Sequence, residues 1–143
     1  MKVITIRCLS DNFSYIVLNE KNKNACVVDP GEAEPIISTV IREKINLKYI
    51  LNTHHHNDHV GGNLELKKQF NCNILGYIND KDNIPGIDIF IKDRELYQND
   101  DFEFKTYHKP GHTAGHVIFH FHKCNFLFTG DTLFSLGCGR IFE

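Results

Sequence analysis

Thr53 to Gly62 reads THHHNDHVGG, which sets four histidines and an aspartate within six consecutive positions, His54 to His59. The apolar run LKYIL leads into it and two glycines close it. Successive residues of a strand point to opposite faces, so at the end of such a run His54 and His56 share one face while His55 takes the other. Two imidazoles on one face can grip a single ion. Asp58 and His59 fall beyond the strand end, where the chain can curl back and present a second group of donors. Gly61 and Gly62 would allow a tight turn and the start of a helix. Neutral imidazole and carboxylate suit zinc, and suit iron or manganese as well. Alone, the stretch favours a metal site over a histidine-rich surface loop or an incidental metal-binding tract.

Two later stretches change that balance. KPGHTAGH, from Lys109 to His116, places His112 and His116 in a glycine-bounded turn between two strands, where side chains are free to face a site. FLFTGDTLF ends an apolar strand at Gly130-Asp131. A carboxylate has few structural reasons to stand where a strand leaves the core.

Outward from these landmarks the chain alternates short elements. KVITIRC, FSYIVLN and NACVVDP are β-branched and aromatic runs separated by turn residues, which predicts antiparallel strands. EPIISTVIREKI carries Ile36, Ile37, Val40, Ile41 and Ile45 at helical spacing, with Pro35 tolerated in the first turn. NLELKKQF reads as a second, short helix. CNILGY, IDIFI, FEFKTYH, HVIFHFH and NFLFTGD read as further strands, the last three forming a second sheet that residues up to Glu143 leave incomplete. In HVIFHFH the alternation sends Val117, Phe119 and Phe121 inward and His120 and His122 outward.

The 143 residues fit one domain, residues 1–143, long enough to bury roughly 68–70% of the unfolded surface without a metal or disulfide to hold the core. A net charge of −2 disfavours a nucleic-acid or anionic-membrane surface. No apolar run is long enough to span a bilayer, and MKVITIRCLSDNF turns polar too early for a signal peptide. The five cysteines are scattered, with no CxxC pair, as expected of reduced thiols in a cytoplasmic protein.

THHHNDH followed by PGHTAGH and then TGDTLF resembles the metallo-β-lactamase superfamily in motif and in ligand order. SDNFSYIV, VVDPG and GCGRIFE narrow the likeness to the hydroxyacylglutathione hydrolases, also called glyoxalase II, along the whole of Met1 to Glu143. The resemblance implies an α/β (α+β) fold, an αββα sandwich with its second sheet incomplete in this chain. It implies a first metal on His54, His56 and His112, a second on Asp58 and His59, and Asp131 bridging the two. Asp58 is also a candidate proton acceptor. Arg140 falls where the family places a basic residue that contacts the glutathione carboxylate, and Phe142 where some members carry tyrosine. Asp29 is usually structural in the family, and a packing or ligand-orienting role is expected for His116. His55 is expected to be a bystander and His108 a loop residue.

The implied reaction is metal-dependent hydrolysis of the thioester S-D-lactoylglutathione to D-lactate and glutathione, on two divalent ions, zinc foremost. No GxSxG elbow competes with it. The family's chains continue further, adding a last histidine ligand to the second metal and a helical glutathione-binding domain. This chain therefore resembles the N-terminal catalytic portion, with a second metal site short of one ligand and an uncovered sheet open to self-association. Two other readings stay open: a non-catalytic metal-binding remnant, and a mononuclear iron persulfide dioxygenase of the same fold. A β-lactamase is disfavoured by the missing export signal.

Overall fold

In the computed structural model, which describes residues 1–143, β1 (Lys2–Cys8), β2 (Asn12–Leu18) and β3 (Asn24–Val28) form an antiparallel meander. Helix α1 (Glu34–Arg42) then carries the chain back, so that β4 (Asn46–Leu51) joins β3 in parallel. β5 (Asn73–Tyr77) and β6 (Ile89–Ile91) extend the sheet, each again parallel to its neighbour. The six strands lie in sequence order. A second, antiparallel sheet has the order β10-β9-β8-β7, with β7 Leu96–Gln98, β8 Glu103–His108, β9 Val117–Phe121 and β10 Phe126–Phe128.

The inner strands of the first sheet, β2 to β5, bury residues on both faces, and their alternation sorts residues between two cores. Ile16, Leu18, Ala25, Val27, Ile50 and Ile74 pack on the helical side. Val17, Cys26, Val28, Leu51 and Leu75 face the second sheet. There they meet Phe104, Phe119 and Phe121, with Phe104 edge-on to Phe119 at 5.5 Å between ring centres. Val117, Phe119 and Phe121 are buried and His122 is exposed, as the alternation expects. Helix, six-stranded sheet and four-stranded sheet make three layers, and no helix within residues 1–143 covers the outer face of the second sheet.

Helix α1 stops three residues short of the apolar pattern. Lys44 takes a left-handed conformation, φ +53, and its N–H donates to Ile41 while that of Ile45 donates to Val40. That is the Schellman closure, here without glycine, and it folds Ile45 back onto Val40 in the helical-side core. The second helix of the sequence reading, α3 (Asn63–Phe70), has the expected bounds. The one-turn helix α2 (Asn57–Val60) and the three-residue strand β7 are too short for a periodicity to show in the sequence. Cys8, Cys26 and Cys72 are buried thiols, Cys124 is half-buried and Cys138 exposed, and none is bridged.

Candidate metal centre

Parallel strands end at one side of their sheet, and the crevice beyond those ends is where such folds bind ligands. Asp29 follows β3 and the histidine cluster follows β4. The second sheet brings His112 and His116 on its β8–β9 loop and Asp131 in the 3₁₀ turn after β10. Past Leu51 the chain is pinned at once: the Asn52 amide donates to the His59 carbonyl at 3.1 Å and pairs with Asn63. Helix α2 then swings His59 back over His54, ring centres 4.2 Å apart.

Two donor sets result. His54, His56 and His112 bring their ligand atoms within 4.8 Å of one another, as do His54, His59 and Asp131. Asp131 stands between the sets, its two oxygens 3.1 Å from His59 Nε2 and 3.2 Å from His112 Nε2. Asp58 Oδ2 lies 3.5 Å from His59 Nε2. A tetrahedral ion with bonds of ~2.0–2.1 Å wants donors roughly 3.4 Å apart, so small side-chain shifts suffice.

The donors other than His59 are also in the state a metal needs. Burial, with four neighbouring histidines, pushes His54 far below the usual imidazole range and keeps it neutral. Burial and the approach of His112 lower His56 too. Burial pulls His59 down as well, but the Asp29 and Asp131 carboxylates outweigh it and hold the ring at about 10. Burial tends to raise the Asp131 carboxyl, yet close contact with His59 and the nearby histidines brings it below its ordinary value. A cation entering here meets an ionised carboxylate and imidazoles, with one proton, that of His59, to expel.

The residues fit a bound cation by a separate observation. His54 Nε2 and both ring nitrogens of His59 are buried without an aligned hydrogen-bond partner, the His59 contacts to Asp29 and Asp131 being bent. Each orphaned polar atom costs about 1–3 kcal/mol, and folded chains leave few of them. The lone pair of His54 Nε2, and that of His59 Nε2 once its proton is expelled, are accounted for if a metal takes them. His112 Nδ1 donates to the Arg140 carbonyl at 2.8 Å, which leaves Nε2, 3.0 Å from His56 Nδ1, as its ligand atom.

All six sequence-derived candidates, His54, His56, Asp58, His59, His112 and Asp131, therefore gather in one crevice. Arg140 reaches it through its carbonyl, its side chain standing in solvent. The Phe142 ring lies edge-on to His56 and His112, at 5.8 and 5.3 Å. His116 sits behind the site, stacked on His54 with its Nε2 accepting from the Asp131 N–H at 3.1 Å. Asp29 does more than brace a turn: it takes the N–H and hydroxyl of Thr53 at 2.7 and 2.6 Å and faces His59 Nδ1. His108 closes β8 and stacks on Tyr77.

One expectation needs revision. Gly61 and Gly62 have ordinary right-handed backbones; they are glycines because a Cβ at either would strike the backbone of residues 30–33. Gly130, by contrast, needs its φ of +49. Asn12 escaped the sequence reading altogether. Its amide donates to Asp58 Oδ2 at 2.8 Å and to the Asp58 carbonyl at 3.2 Å, across 46 residues of chain. The Asn in SDNFSYIV was visible only as part of a turn. An open cleft of about 940 Å³ runs from Asp58, His59 and Asp131 outward between Phe13, Tyr15, Leu133 and Phe134.

The chain belongs to the metallo-beta-lactamase superfamily, whose sequence profile matches residues 9–143. Within it, the hydroxyacylglutathione hydrolase of Pelagibacter ubique (strain HTCC1062) is 52% identical over 143 residues, covering all of this chain and 60% of its own length. That of Methylococcus capsulatus (strain ATCC 33009 / NCIMB 11132 / Bath) is 43% identical, again over the whole chain and 56% of its own length. The chain thus spans a little over half the length of these curated relatives. Among solved structures, the BLEG-1 B3 metallo-beta-lactamase superposes with a TM-score of 0.90 at 26% identity, covering 97% of this chain and 76% of that one.

Proposed function

We propose that this chain is the metal-binding portion of a hydroxyacylglutathione hydrolase, cleaving the thioester S-D-lactoylglutathione to D-lactate and glutathione. The observation that carries the reading is the pair of donor sets sharing His54, with Asp131 between them. His54, His56 and His112 would hold one divalent ion, Asp58 and His59 a second, and Asp131 would serve both. Zinc suits this mixed imidazole and carboxylate set, as iron and manganese do. When bound, two such ions supply an activated water and a Lewis acid for the carbonyl.

The chain's own residues arrange the rest. Asp58 is held by Asn12 through Oδ2, while Oδ1 makes no hydrogen bond within the chain and is left to ligate or to take a proton. No strong general acid is needed, because a leaving thiolate is a weak base whose thiol has a pKa near ~8.5. The exposed Arg140 would meet a substrate carboxylate, and Phe142, beside His112, would offer an apolar contact at the rim. The unbridged thiols accord with a cytoplasmic setting. No helix is long and apolar enough to cross a membrane. Leu127, Leu133 and Phe134 are exposed beside the cleft and offer a surface for self-association.

The test is metal content of the size-purified chain together with turnover of S-D-lactoylglutathione. Two ions per chain, with activity lost to a chelator and restored by zinc, is the expected result. One ion or none, without thioester cleavage, overturns the reading.

A further inference from the structure

Asp80 is a buried carboxylate, 2% exposed, at the end of the 3₁₀ turn Ile78–Asp80 that follows β5. Burying such a group is costly unless it is paired. Its partners are instructive. His55 Nδ1 lies 2.8 and 3.0 Å from its two oxygens, and the Asn83 amide donates to Oδ1 at 2.9 Å. A carboxylate only accepts, so Nδ1 of His55 carries the proton. On its other side Asp80 is in contact with the β8–β9 loop: a Cβ at Gly115 would stand 2.5 Å from the Asp80 Cγ. One carboxyl group therefore touches both loops that carry the first donor set, the one bearing His54 and His56 and the one bearing His112.

We infer that Asp80 and His55 are positioning residues, a bracket that fixes the distance between the two histidine loops and so the geometry of the first metal site. His55 is not the bystander its off-face position suggested. It lies between two donors in sequence, its ring is edge-on to His56 at 5.2 Å, and its bond to Asp80 stops the segment from rolling about its own axis. Gly115 completes the bracket by letting the second loop lie flat on the carboxyl group. The inference rests on the metal-centre reading above, and the experiment separates the two.

Asp80→Asn strikes a buried group and risks misfolding, so the decisive variants are at the half-buried His55. His55→Ala removes the donor; His55→Asn keeps an N–H near the place of Nδ1. Zinc affinity is measured by competition with a chromophoric chelator, and stability of the metal-free protein by urea. The expected result is a zinc affinity about 10–100-fold weaker in His55→Ala, the usual scale for groups that orient ligands. His55→Asn is expected to recover most of it, at nearly unchanged metal-free stability for both. A His55→Ala chain that binds zinc as tightly as the wild type overturns the inference. So does a His55→Asn chain as weak as His55→Ala, or an affinity loss matched by an equal loss of metal-free stability. A wild-type chain that takes up no zinc instead overturns the metal-centre reading, and this inference with it.

Discussion

Asp29→Asn isolates what one carboxylate does behind this site. Asp29 is buried with φ +48, a conformation asparagine adopts as readily as aspartate, so the change leaves backbone and volume alone. The carboxylate accepts the Thr53 N–H at 2.7 Å and the Thr53 hydroxyl at 2.6 Å, and faces His59 Nδ1 at 3.1 Å. An amide has one acceptor oxygen. If that oxygen stays with the Thr53 N–H, the NH₂ group meets the hydroxyl, which can reverse and accept, and His59 Nδ1–H, which cannot. Charge-assisted bonds to Thr53 of about 1.5–3 kcal/mol become neutral ones of about 0.5–1.5, and the protonated His59 ring loses the carboxylate charge it faces. The sum is roughly 3 kcal/mol. With a urea slope of about 1–3 kcal/mol per molar, the midpoint should fall by roughly 1–3 M. The chain has no tryptophan, so unfolding is best followed by far-ultraviolet circular dichroism, with a chelator present. Zinc content should also drop, because His59 is no longer held for binding. A midpoint within about 0.3 M of wild type, well under the range that slope implies, would refute the reasoning.

Asn12→Ala removes the amide that orients Asp58 and should weaken the second ion by about 10–100-fold while leaving the urea midpoint nearly in place, as zinc titration would show. Phe119→Ala, at a fully buried ring, should cost about 3–5 kcal/mol in urea unfolding without changing metal stoichiometry. Burial tends to raise the Asp88 carboxyl, but Lys67 at 2.5 Å and the Ile74 N–H at 2.9 Å outweigh it and hold the group below its ordinary value. A depressed carboxyl stabilises fully above its unfolded value, about 3.9, and loses that contribution as the pH falls through the folded one. Asp88→Asn should therefore destabilise the chain at neutral pH and lose its effect in acid, read from urea midpoints across that range.

What the sequence disclosed was whatever local spacing encodes. His54 and His56 were picked out as a pair, though they lie beyond the end of β4 in bend and coil and not on an alternating strand; His112 and Asp131 stand where strands end, and the inward set Val117, Phe119 and Phe121 follows from period two. What it hid depends on contacts between distant segments. Asn12 reaches Asp58 and His55 reaches Asp80, pairings that no motif within one segment contains. The left-handed backbone of Asp29 was equally hidden, because its partner Thr53 lies beyond the end of β4, 24 residues further along the chain. Gly61 and Gly62 looked like turn residues, yet the backbone of residues 30–33 decides them, and only packing reveals that. Helix α1 looked longer than it is because Ile45 continues the apolar spacing after Lys44 has already reversed the chain.

The donors come from both sheets: His54 and His59 follow a strand of the first, while His112 and Asp131 belong to loops of the second. The site therefore exists only once the two sheets have docked, an event that joins segments far apart along the chain and closes late. Interactions absent from the folding barrier act on the rate of escape from the folded state and leave the rate of reaching it alone. A metal seated between the sheets is in that position. Bound there, it would lengthen the lifetime of the folded chain without hastening its birth, and so would act as a kinetic latch on the sandwich that holds it.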